Sequence, residues 1–299
     1  MPAEAIIIHN IFEPKTATWQ YIVADPKTKY AVIIDPVLDF DPVKNTLTTE
    51  SADHLLSVAK EHNFVVVKIL ETHVHADHIT ASNYLQLKLS VSQDFRPDIC
   101  IGKRVGQTQD HFGQRYGIPE SEYKGAFDKL FDDDETFSIG DLQAKAIHLP
   151  GHTPDHLGYI IGENVFCGDS LFNPDVGSAR CDFPGGDAST LYASVRKMLS
   201  LPDDFKIWTG HDYPPGGADG RAEPLAATTV SEQNKTNKHL KNEVLEKEFV
   251  QWRTQRDAGL ATPRLLHQSL QMNIRAGKLP AKSTSGDMLL HLPLHPGWE

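Results

Sequence analysis

The chain has 299 residues, of which 39% are hydrophobic and 23% are charged, proportions typical of a soluble globular protein with a substantial core. Its 29 basic and 40 acidic residues give a formal net charge of −11. That balance argues against a nucleic-acid groove or an anionic membrane surface as the main partner, and an anionic small substrate would need a local basic patch.

The first third of the chain predicts short strands followed by a helix. Three β-rich runs, "AIIIHN", "WQYIVAD" and "YAVIIDPV", stand between turn formers. The segment "SADHLLSVAKEHN" is predicted to be helical, with Ser51 as its N-cap. The β-branched run "VVVKILET" indicates a buried strand, and "ITASNYLQLKL" a further helix. The cluster "THVHADH" therefore lies in the loop that follows a strand.

The rest of the chain predicts more strands and then mainly helices. "DICIG" indicates a strand, "RVGQTQDHFGQRYG" a helix and "SIGD" a hairpin turn. Residues 142–172 read as three strands, "DASTLYASVRKMLSL" as a helix, and "DFKIWTGHDYPPGG" as a strand that runs into a loop. Three helices are predicted in the last third: "PLAATTVSEQNKTNKHL", "NEVLEKEFVQWRTQRDAG" and "PRLLHQSLQMNIRAGKLP".

Strands that run into helices in both halves of the chain indicate layered α/β packing. Hairpins such as "GYIIGENVFCGDS" require antiparallel pairing. We therefore expect two mixed β-sheets with helices outside them. We assign residues 1–299 to a single domain, with a core at about residues 5–215 and a helical C-terminal extension at about residues 216–299.

The cysteines and the apolar runs bear on the compartment. Cys100, Cys167 and Cys181 are too few for a disulfide framework. No apolar run reaches the ~18 residues of a membrane span, and the N-terminus shows neither a secretory signal nor a mitochondrial presequence. We expect a cytoplasmic protein that binds neither nucleic acid nor a membrane. Cys167 is expected in the core, and for Cys181 a small buried hydrophobe is favoured over a persulfide acceptor or redox sensor.

Four loops, each after a predicted strand, carry side chains that can bind a metal. The loops "THVHADH", "LPGHTPDH", "FCGDSLF" and "WTGHDYP" supply His73, His75, Asp77, His78, His152, His156, Asp169 and His211. Imidazole and carboxylate ligands suit zinc or iron(II). Gly151, Gly168 and Gly210 each precede one of these candidates, and glycine permits the tight turn that places the next side chain in a cavity. The sequence therefore predicts a metal site.

Other polar features have simpler interpretations. An isolated histidine is rarely a ligand, so a surface or satisfied core position is expected for His9, His54, His62, His111, His239, His267, His291 and His295. The acidic run "FDDDE" at 131–135 lacks the alternating spacing of calcium ligands and is predicted to be a solvated turn. In "THVHADH", by contrast, three histidines and an aspartate would repel when protonated and lack partners when buried. A metal removes both problems.

The motifs "THVHADH", "PGHTPDH", "GDSLF" and "GHDY", in this order, resemble the metallo-β-lactamase superfamily over about residues 5–215. The resemblance implies an αββα sandwich with the metal at one edge, between the sheets. Within the superfamily, glyoxalase II hydrolyses a glutathione thioester with two metal ions, and its first motif has a bulky aromatic before the aspartate and "GG" after the last histidine.

Here Ala76 precedes the aspartate and "ITAS" follows the motif. Both features resemble the persulfide dioxygenases, the ETHE1-like sulfur dioxygenases. The segment "SARCDFPGGDASTLYASV" also resembles theirs, although Cys181 stands where threonine is common. The C-terminal "PRLLHQSLQMNIRAGKLP" resembles the bacterial form of these enzymes, also known as β-lactamase-like hydrolases.

The dioxygenase resemblance implies one iron(II) held by His73, His152 and Asp169. Two histidines and one carboxylate form a facial triad that leaves positions open for substrate and O2. The residues expected to surround this ion, or to hold a second one, are His75, Asp77, His78 and His211. Because ligands for two metals are present, a glyoxalase-II-like binuclear zinc hydrolase of glutathione thioesters stays open as the alternative.

The implied reaction oxidises the outer sulfur of glutathione persulfide with O2 and releases sulfite and glutathione; coenzyme A and bacillithiol persulfides are open alternatives. Arg180 is the first candidate to bind the substrate carboxylate, against an internal salt bridge with Asp182 or Asp169. Tyr213 is a candidate donor to substrate or a packed tyrosine. Weaker cationic candidates, expected at the surface, are Arg221, Lys235, Arg264 and Arg275.

A homo-oligomer, a dimer or a tetramer, is also expected. Phe249 and Trp252 lie on a charged predicted helix in the C-terminal third. They fit either an interface between copies or ordinary core packing.

Overall fold

The computed structural model describes residues 5–214, 216, 220–294 and 296. Over these residues, fifteen strands form two six-stranded sheets and one three-stranded sheet. The first sheet contains, in spatial order, β1 (Ile7–Glu13), β2 (Thr18–Ala24), β3 (Tyr30–Ile34), β6 (Val65–Leu70), β8 (Asp98–Gly102) and β9 (Lys129–Phe131). The second contains β10 (Thr136–Ile139), β11 (Leu142–His148), β12 (Leu157–Ile161), β13 (Asn164–Phe166), β14 (Lys206–Trp208) and β15 (Ala227–Thr229).

The remaining strands and the helices complete the described fold. The small sheet has the order β5 (Thr46–Thr48), β4 (Val37–Asp41) and β7 (Ile79–Thr80). The helices are α1 (Glu50–Glu61), α2 (Ser82–Ser92), α3 (Val105–Tyr116), α4 (Glu120–Tyr123), α5 (Ala188–Leu199), α6 (Val230–Thr236), α7 (Glu246–Asp257) and α8 (Leu266–Asn273).

Both large sheets are mixed, as predicted. In the first, β1, β2 and β3 are antiparallel, whereas β3, β6, β8 and β9 are parallel. In the second, all neighbours are antiparallel except the parallel pair β13 and β14. The hairpins predicted at "SIGD" and at "GEN" are the β10–β11 and β12–β13 connections.

The sheets pack face to face because their strands are apolar on both sides. Successive side chains of a strand point to opposite faces. In β3, Ala31 and Ile33 join the cluster that contains Leu55 of α1, whereas Val32 and Ile34 join the cluster between the two sheets. A third cluster buries α5 and α7 against the outer face of the second sheet. The expected αββα sandwich is confirmed.

Strand direction brings the candidate loops to one edge. β11, β13 and β14 run in the same direction, since β12 is antiparallel to both β11 and β13 and β14 is parallel to β13. The loops after these three strands therefore leave the second sheet at the same edge. The loop after β6 in the first sheet meets them there, because the Leu157 N–H donates to the Thr72 carbonyl over 2.7 Å.

Several predicted element boundaries are wrong, three of them at the start of a helix. Ser51 is not the N-cap of α1: Thr49 holds that position, and Ser51 binds Asp39 through its backbone N–H and its hydroxyl. The second helix begins at Ser82, because residues 79–80 pair with β4 as a strand. Likewise, residues 227–229 pair with β14, and α6 begins only at Val230, where Thr229 and Glu232 form a capping box.

The core positions predicted for Cys167 and Cys181 are confirmed, since both are buried, and Cys100 is buried as well. All three cysteines are unpaired. Phe249 is 1% exposed in the cluster beneath α5, so core packing accounts for it. In the part of the chain that the structure describes, no helix has the length and apolar character needed to cross a membrane.

Candidate metal centre

His73 presents one ring nitrogen to the shared edge of the sheets. The residue follows β6, is 1% exposed, and has its Nδ1 3.0 Å from the Thr72 hydroxyl. Its Nε2 is buried, has no hydrogen-bond partner among the residues that the structure describes, and lies 4.0 Å from Asp169 Oδ2. Burial lowers the pKa of His73 well below its ordinary value, and the neighbouring histidines lower it further. A neutral imidazole with a free Nε2 is the form that binds a metal.

His152 is aimed by its hydrogen bond and by the glycine before it. Gly151 has φ +135°, and a Cβ there would lie 2.3 Å from the Leu191 Cα, so only glycine fits. His152 Nδ1 donates to the Arg180 carbonyl over 2.7 Å. Since a carbonyl only accepts, Nδ1 carries the proton and Nε2 carries the lone pair. That Nε2 lies 3.6 Å from Asp169 Oδ2.

Asp169 lies in a 3₁₀ turn, Gly168–Ser170, between the two histidines. Its backbone N–H donates to His156 Nε2 over 3.0 Å. The His156 ring stacks on His73, with 4.7 Å between ring centroids. His156 thus supports His73 and Asp169 together. Asp169 Oδ1 is buried and no described residue makes a hydrogen bond to it. Gly210 leaves room for this oxygen, because a Cβ on Gly210 would lie 2.5 Å from it.

Asp77, His78 and His211 form a second group beside the first. Asp77 Oδ2 lies 3.1 Å from His78 Nδ1 and 3.3 Å from His211 Nε2. His211 Nε2 is also 3.5 Å from Asp169 Oδ2. Burial alone would lower the pKa of His211, but the Asp169 and Asp77 carboxylates raise it above its ordinary value. Asp77 behaves conversely: burial opposes ionisation, yet His211 and His78 lower its pKa.

His75 is held between two carboxylates. Its Nε2 lies 3.1 Å from Asp35 Oδ1 and 3.2 Å from Glu71 Oε2. Burial disfavours its charged form, but Asp35 and Glu71 together raise the pKa of His75 well above its ordinary value. The hydroxyls of Thr80 and Ser82 both donate to Glu71. His75 Nδ1 is buried and has no hydrogen-bond partner within the described part of the chain. The carboxylates, which hold Nε2, thus fix the orientation of the ring and of this second nitrogen.

Sequence reasoning assigned no role to Asp35 or Glu71. It counted His156 among the side chains that can bind a metal, whereas its Nε2 accepts from the Asp169 N–H. Glu71 stands directly before "THVHADH", and Asp35 ends the run "YAVIID". The signal for Asp35 is topological: β3 and β6 are parallel neighbours, so the residues after both strands meet at the same edge of the sheet.

The donor atoms fit a metal ion. Among the described residues, four groups have donor atoms within 4.8 Å of one another: His73–His152–Asp169, Asp77–Asp169–His211, His75–Asp77–His78 and Asp35–Glu71–His75. Buried polar atoms normally have a hydrogen-bond partner, yet none is found among the described residues for His73 Nε2, His75 Nδ1, His78 Nε2 and Asp169 Oδ1. Coordination to a cation would satisfy all four. The structure thus brings together every residue that the sequence assigned to the metal site.

A cavity of about 920 Å³ opens over these donors. Among its lining residues, those that face the centre include Asp77, His152, Asp169 and His211. Its cationic lining residues are Lys15, Arg115, Arg180, Lys238, Arg253, Arg256 and Arg264. This is the local basic patch that an anionic ligand of a chain with net charge −11 would need.

The two candidate substrate-binding residues both line this cavity. Arg180 makes a two-pronged ion pair with Asp182, at 2.5 and 2.6 Å, and donates to the Ala261 carbonyl. Arg180 therefore forms the internal salt bridge that was the alternative to substrate binding, and it also lines the cavity. Tyr213 is 49% exposed and lies nearly parallel to the His211 ring, 5.9 Å between centroids.

Among the weaker cationic candidates, Arg264 also lines the cavity. Arg221 is paired with Asp175 and Asp212, and Arg275 with Glu122. Of the eight histidines given a simple interpretation, His239 lines the cavity and stacks on Trp252 at 3.5 Å, and His295 lies outside the described residues.

Comparison with known proteins places the chain among metalloenzymes. A family model for the metallo-beta-lactamase superfamily matches residues 14–211. A "Beta-lactamase hydrolase-like protein" of Agrobacterium fabrum is 42% identical over 288 residues, which cover 96% of this chain and 64% of that protein. The chain therefore spans a little under two thirds of that relative. "Glyoxylase B2" of Dictyostelium discoideum is 41% identical over 286 residues, 95% of each chain.

The chain is also similar to proteins that are named ETHE1 or persulfide dioxygenase. "Persulfide dioxygenase ETHE1, mitochondrial" of Bos taurus is 29% identical over 238 residues, which cover 79% of this chain and 76% of that protein. The crystal structure of ETHE1 from Myxococcus xanthus superimposes with a TM-score of 0.72 at 26% identity, covering 91% of this chain and 100% of that one.

Proposed function

Because the chain belongs to the metallo-β-lactamase superfamily, we propose that it uses the metal centre of this fold as a persulfide dioxygenase. The reaction converts a persulfide, O2 and water into a thiol, sulfite and two protons. The outer sulfur loses four electrons, and O2 gains them. No side chain carries such chemistry; an iron(II) ion bound at the centre supplies it.

The observation that carries the proposal is the group His73, His152 and Asp169. The donor atoms of these three residues lie within 4.8 Å of one another. Two histidines and one carboxylate are the facial triad of non-haem iron(II) oxygenases, whose open positions accept substrate and O2. His156 holds Asp169 through its backbone N–H, and the Arg180 carbonyl holds His152 through its Nδ1. The geometry of the group therefore does not depend on the ion alone.

The likeness to ETHE1 supports this branch. It extends over 91% of the chain in the structural comparison, and the relative from Bos taurus is named a persulfide dioxygenase. Ala76 stands where a glyoxalase II is expected to have a bulky aromatic before the aspartate, and Ile79 and Thr80 stand where it is expected to have two glycines after the last histidine.

The cavity supports an anionic carrier for the persulfide, for which we propose glutathione. Glutathione carries two carboxylates, and a guanidinium binds a carboxylate in a planar, two-pronged geometry. We propose that Arg180 binds one of these carboxylates in place of its present partner, Asp182. We propose Tyr213 as a hydroxyl donor beside the reacting sulfur. Coenzyme A and bacillithiol carry negative charge too, and competition among the three persulfides identifies the carrier.

A second function, a binuclear zinc hydrolase of glutathione thioesters, is favoured by two observations. Asp77, His211 and Asp169 form a further group with donor atoms within 4.8 Å. Two relatives that match 95% or more of this chain are named hydrolase-like or glyoxylase. In such an enzyme a metal-bound hydroxide is the nucleophile, so the two functions differ in metal and in oxygen demand.

Metal analysis and oxygen uptake separate the two functions. The full chain, purified under argon, is assayed for iron and zinc and then given glutathione persulfide or S-lactoylglutathione in an oxygen-electrode cell. About one iron per chain and one O2 consumed per sulfite formed support the dioxygenase. Two zincs per chain, cleavage of the thioester and no oxygen uptake would establish the hydrolase instead.

The ligand assignment is tested by His152→Ala. This change removes a proposed metal ligand, so we expect at least roughly a hundredfold loss of activity, the upper end of the roughly tenfold to hundredfold cost of losing a mere hydrogen-bond partner of a ligand. Metal content should fall in parallel. His54→Ala, an exposed histidine of α1, is the control and should retain wild-type activity. Full activity in His152→Ala would refute the assignment.

We place the protein in a reducing, cytoplasmic setting, which agrees with three unpaired cysteines, and we retain the homo-oligomer as a prediction. Size-exclusion chromatography with light scattering measures the oligomeric state directly.

A further inference from the structure

One peptide group connects the metal centre to the C-terminal extension. The carbonyl of Arg180 accepts a hydrogen bond from His152 Nδ1 over 2.7 Å. The N–H of the same peptide unit, on Cys181, donates to Asp257 Oδ2 over 2.9 Å. Because a peptide group is planar and rigid, a carboxylate on helix α7, a peptide and an imidazole form one continuous row of hydrogen bonds.

The carboxylate at the end of this row is buried and firmly held. Asp257 is 8% exposed, and its Oδ1 accepts from Arg253 Nη2 over 2.5 Å. Arg253, 4% exposed, also reaches the carbonyl and hydroxyl of Ser178. Both residues of this ion pair belong to α7, which lies beyond the residues 14–211 matched by the family model.

We propose that Asp257 is a positioning residue for the metal centre, acting on His152 through the peptide between Arg180 and Cys181. A hydrogen bond to an ionised acceptor is stronger than a neutral one, and it polarises the amide so that the carbonyl at its other end becomes a better acceptor. This fixes the Nδ1–H tautomer of His152 and makes Nε2 a stronger donor.

The arrangement extends a known device. Metal-binding histidines commonly donate their second ring nitrogen to a carboxylate, which fixes the ring and raises its basicity. Here a peptide group stands between the histidine and the carboxylate. The inference rests on the metal centre used in the proposed function, but not on the reaction that the centre catalyses.

A neutral isostere tests the row. Asp257→Asn keeps the size of the side chain and can still accept from the Cys181 N–H, but it removes the charge. Ser178→Ala is the matched control, since it removes a partner of Arg253 on the same loop and leaves the row intact. Full-length proteins are loaded with Co(II), and its affinity is measured by competition with a chelator, alongside the visible d–d spectrum and the melting temperature of the metal-free protein.

We expect Asp257→Asn to weaken Co(II) binding about threefold to tenfold and to shift the d–d bands. The loss of affinity is at or below the roughly tenfold lower limit for residues that hydrogen-bond directly to a metal-binding side chain, because a peptide group separates Asp257 from His152. Ser178→Ala should stay within twofold of wild type with an unchanged spectrum, even where its melting temperature falls. Wild-type Co(II) affinity and spectrum in Asp257→Asn would overturn the proposal, whatever happens to its melting temperature.

A second variant covers the case in which Asp257→Asn does not fold, since that change leaves Arg253 as an unpaired buried charge. The double variant Arg253→Gln/Asp257→Asn removes both charges and carries the same expectation for Co(II). Its wild-type affinity would equally overturn the proposal. A wild-type chain that binds no Co(II) would instead contradict the metal centre itself, which separates the two failures.

Discussion

At Gly210, the absence of a side chain leaves room for a metal-binding carboxylate. A Cβ at this position would lie 2.5 Å from Asp169 Oδ1 and 2.9 Å from the carbonyl carbon of Gly168. Because Gly168 is backbone and cannot yield easily, Gly210→Ala should push the Asp169 carboxylate out of the group. We expect metal affinity to fall roughly tenfold to a hundredfold, measured by chelator competition.

A helical glycine provides the matched control for that change. Gly106 lies in α3, and a Cβ there would meet nothing within 4 Å. Gly106→Ala should keep wild-type metal affinity and raise the free energy of unfolding by roughly 0.5–1 kcal/mol. Equal metal affinity in Gly210→Ala and Gly106→Ala would show that Asp169 does not need the space beside Gly210.

The cysteines make a second prediction at the residue scale. Burial raises the pKa of Cys100, Cys167 and Cys181 to about 12 in each case, so hardly any thiolate is present at pH 8, and the thiolate is the reactive form. We expect iodoacetamide to label the native protein at least a hundredfold more slowly than the urea-unfolded chain. Fast labelling of native Cys181, located by peptide mass spectrometry, would contradict this and reopen its role as a persulfide acceptor.

The sequence allowed the candidate metal ligands to be predicted, but not the residues that hold them in place. His73, His152 and Asp169 stand in short motifs with recognisable neighbours. Asp35 and Asp257 have no such motif: Asp35 lies 40 positions from His75, and Asp257 lies 76 positions from Cys181. Their contacts form only when the parallel strands and the distant helix pack together. No short motif in the sequence signals such a contact.

At the scale of elements, tertiary contacts override local preference. Residues 79–80 continue an apolar helical pattern, yet they form a short strand with β4, because the Thr80 N–H is taken by Asn273 and its hydroxyl by Glu71. By contrast, α3 matches its predicted span closely, since its pattern has an apolar face and Gly117 ends it in the left-handed conformation. The start of α2 is therefore set by contacts to the metal loop and to α8 rather than by its local sequence pattern.

His239, in the loop before helix α7, should make the free energy of unfolding depend on pH. His239 stacks on Trp252 of α7, and burial, with Lys238 and Arg253 adding to it, lowers the pKa of His239 to about 4. An unfolded histidine titrates near 6.5. Above that pH, His239 is neutral in both the folded and the unfolded protein, so its titration does not change the free energy of unfolding. Between about 6.5 and 4, only the unfolded state takes up the proton, so the free energy of unfolding falls as the pH falls.

The variant His239→Phe keeps an aromatic ring on Trp252 and cannot take up that proton. In urea unfolding of the metal-free protein at pH 7.5 and pH 5, the wild type should therefore lose more stability between the two values than the variant does. Because the His239 ring is only partly buried, solvent screening reduces the effect. Parallel losses in the two proteins would mean that His239 is protonated in the folded state as readily as in the unfolded one.

At the scale of the whole molecule, the C-terminal extension completes the metal centre. The family model ends at residue 211, which is itself a candidate ligand, and the described chain continues through three more helices. Asp257 of α7 connects to His152 through the peptide between Arg180 and Cys181. Asn273 of α8 donates to the carbonyls of His75 and His78. The extension also supplies cationic cavity residues such as Arg256 and Arg264. A core that ended at residue 211 would keep its donors but lose these supports.

Asn273 of α8 provides the test of that role. Its side-chain amide donates to the carbonyls of His75 and His78, both over 2.8 Å, and its Oδ1 accepts from the Thr80 N–H over 2.9 Å. Asn273→Ala leaves three backbone groups of the metal loop buried without partners, which costs about 2–4 kcal/mol in the free energy of unfolding. Metal affinity should fall as well, since the loop that carries His75 and His78 loses its fixed shape.

Gln268→Ala, on the same helix and partly buried, shortens an amide side chain in the same way and should cost less than about 1 kcal/mol. Urea unfolding of the metal-free proteins measures the first effect, and Co(II) titration the second. If Asn273→Ala unfolds like Gln268→Ala and binds Co(II) like the wild type, then α8 only covers the sandwich. If both quantities fall, the metal loop takes its shape from a helix almost two hundred residues further along the chain.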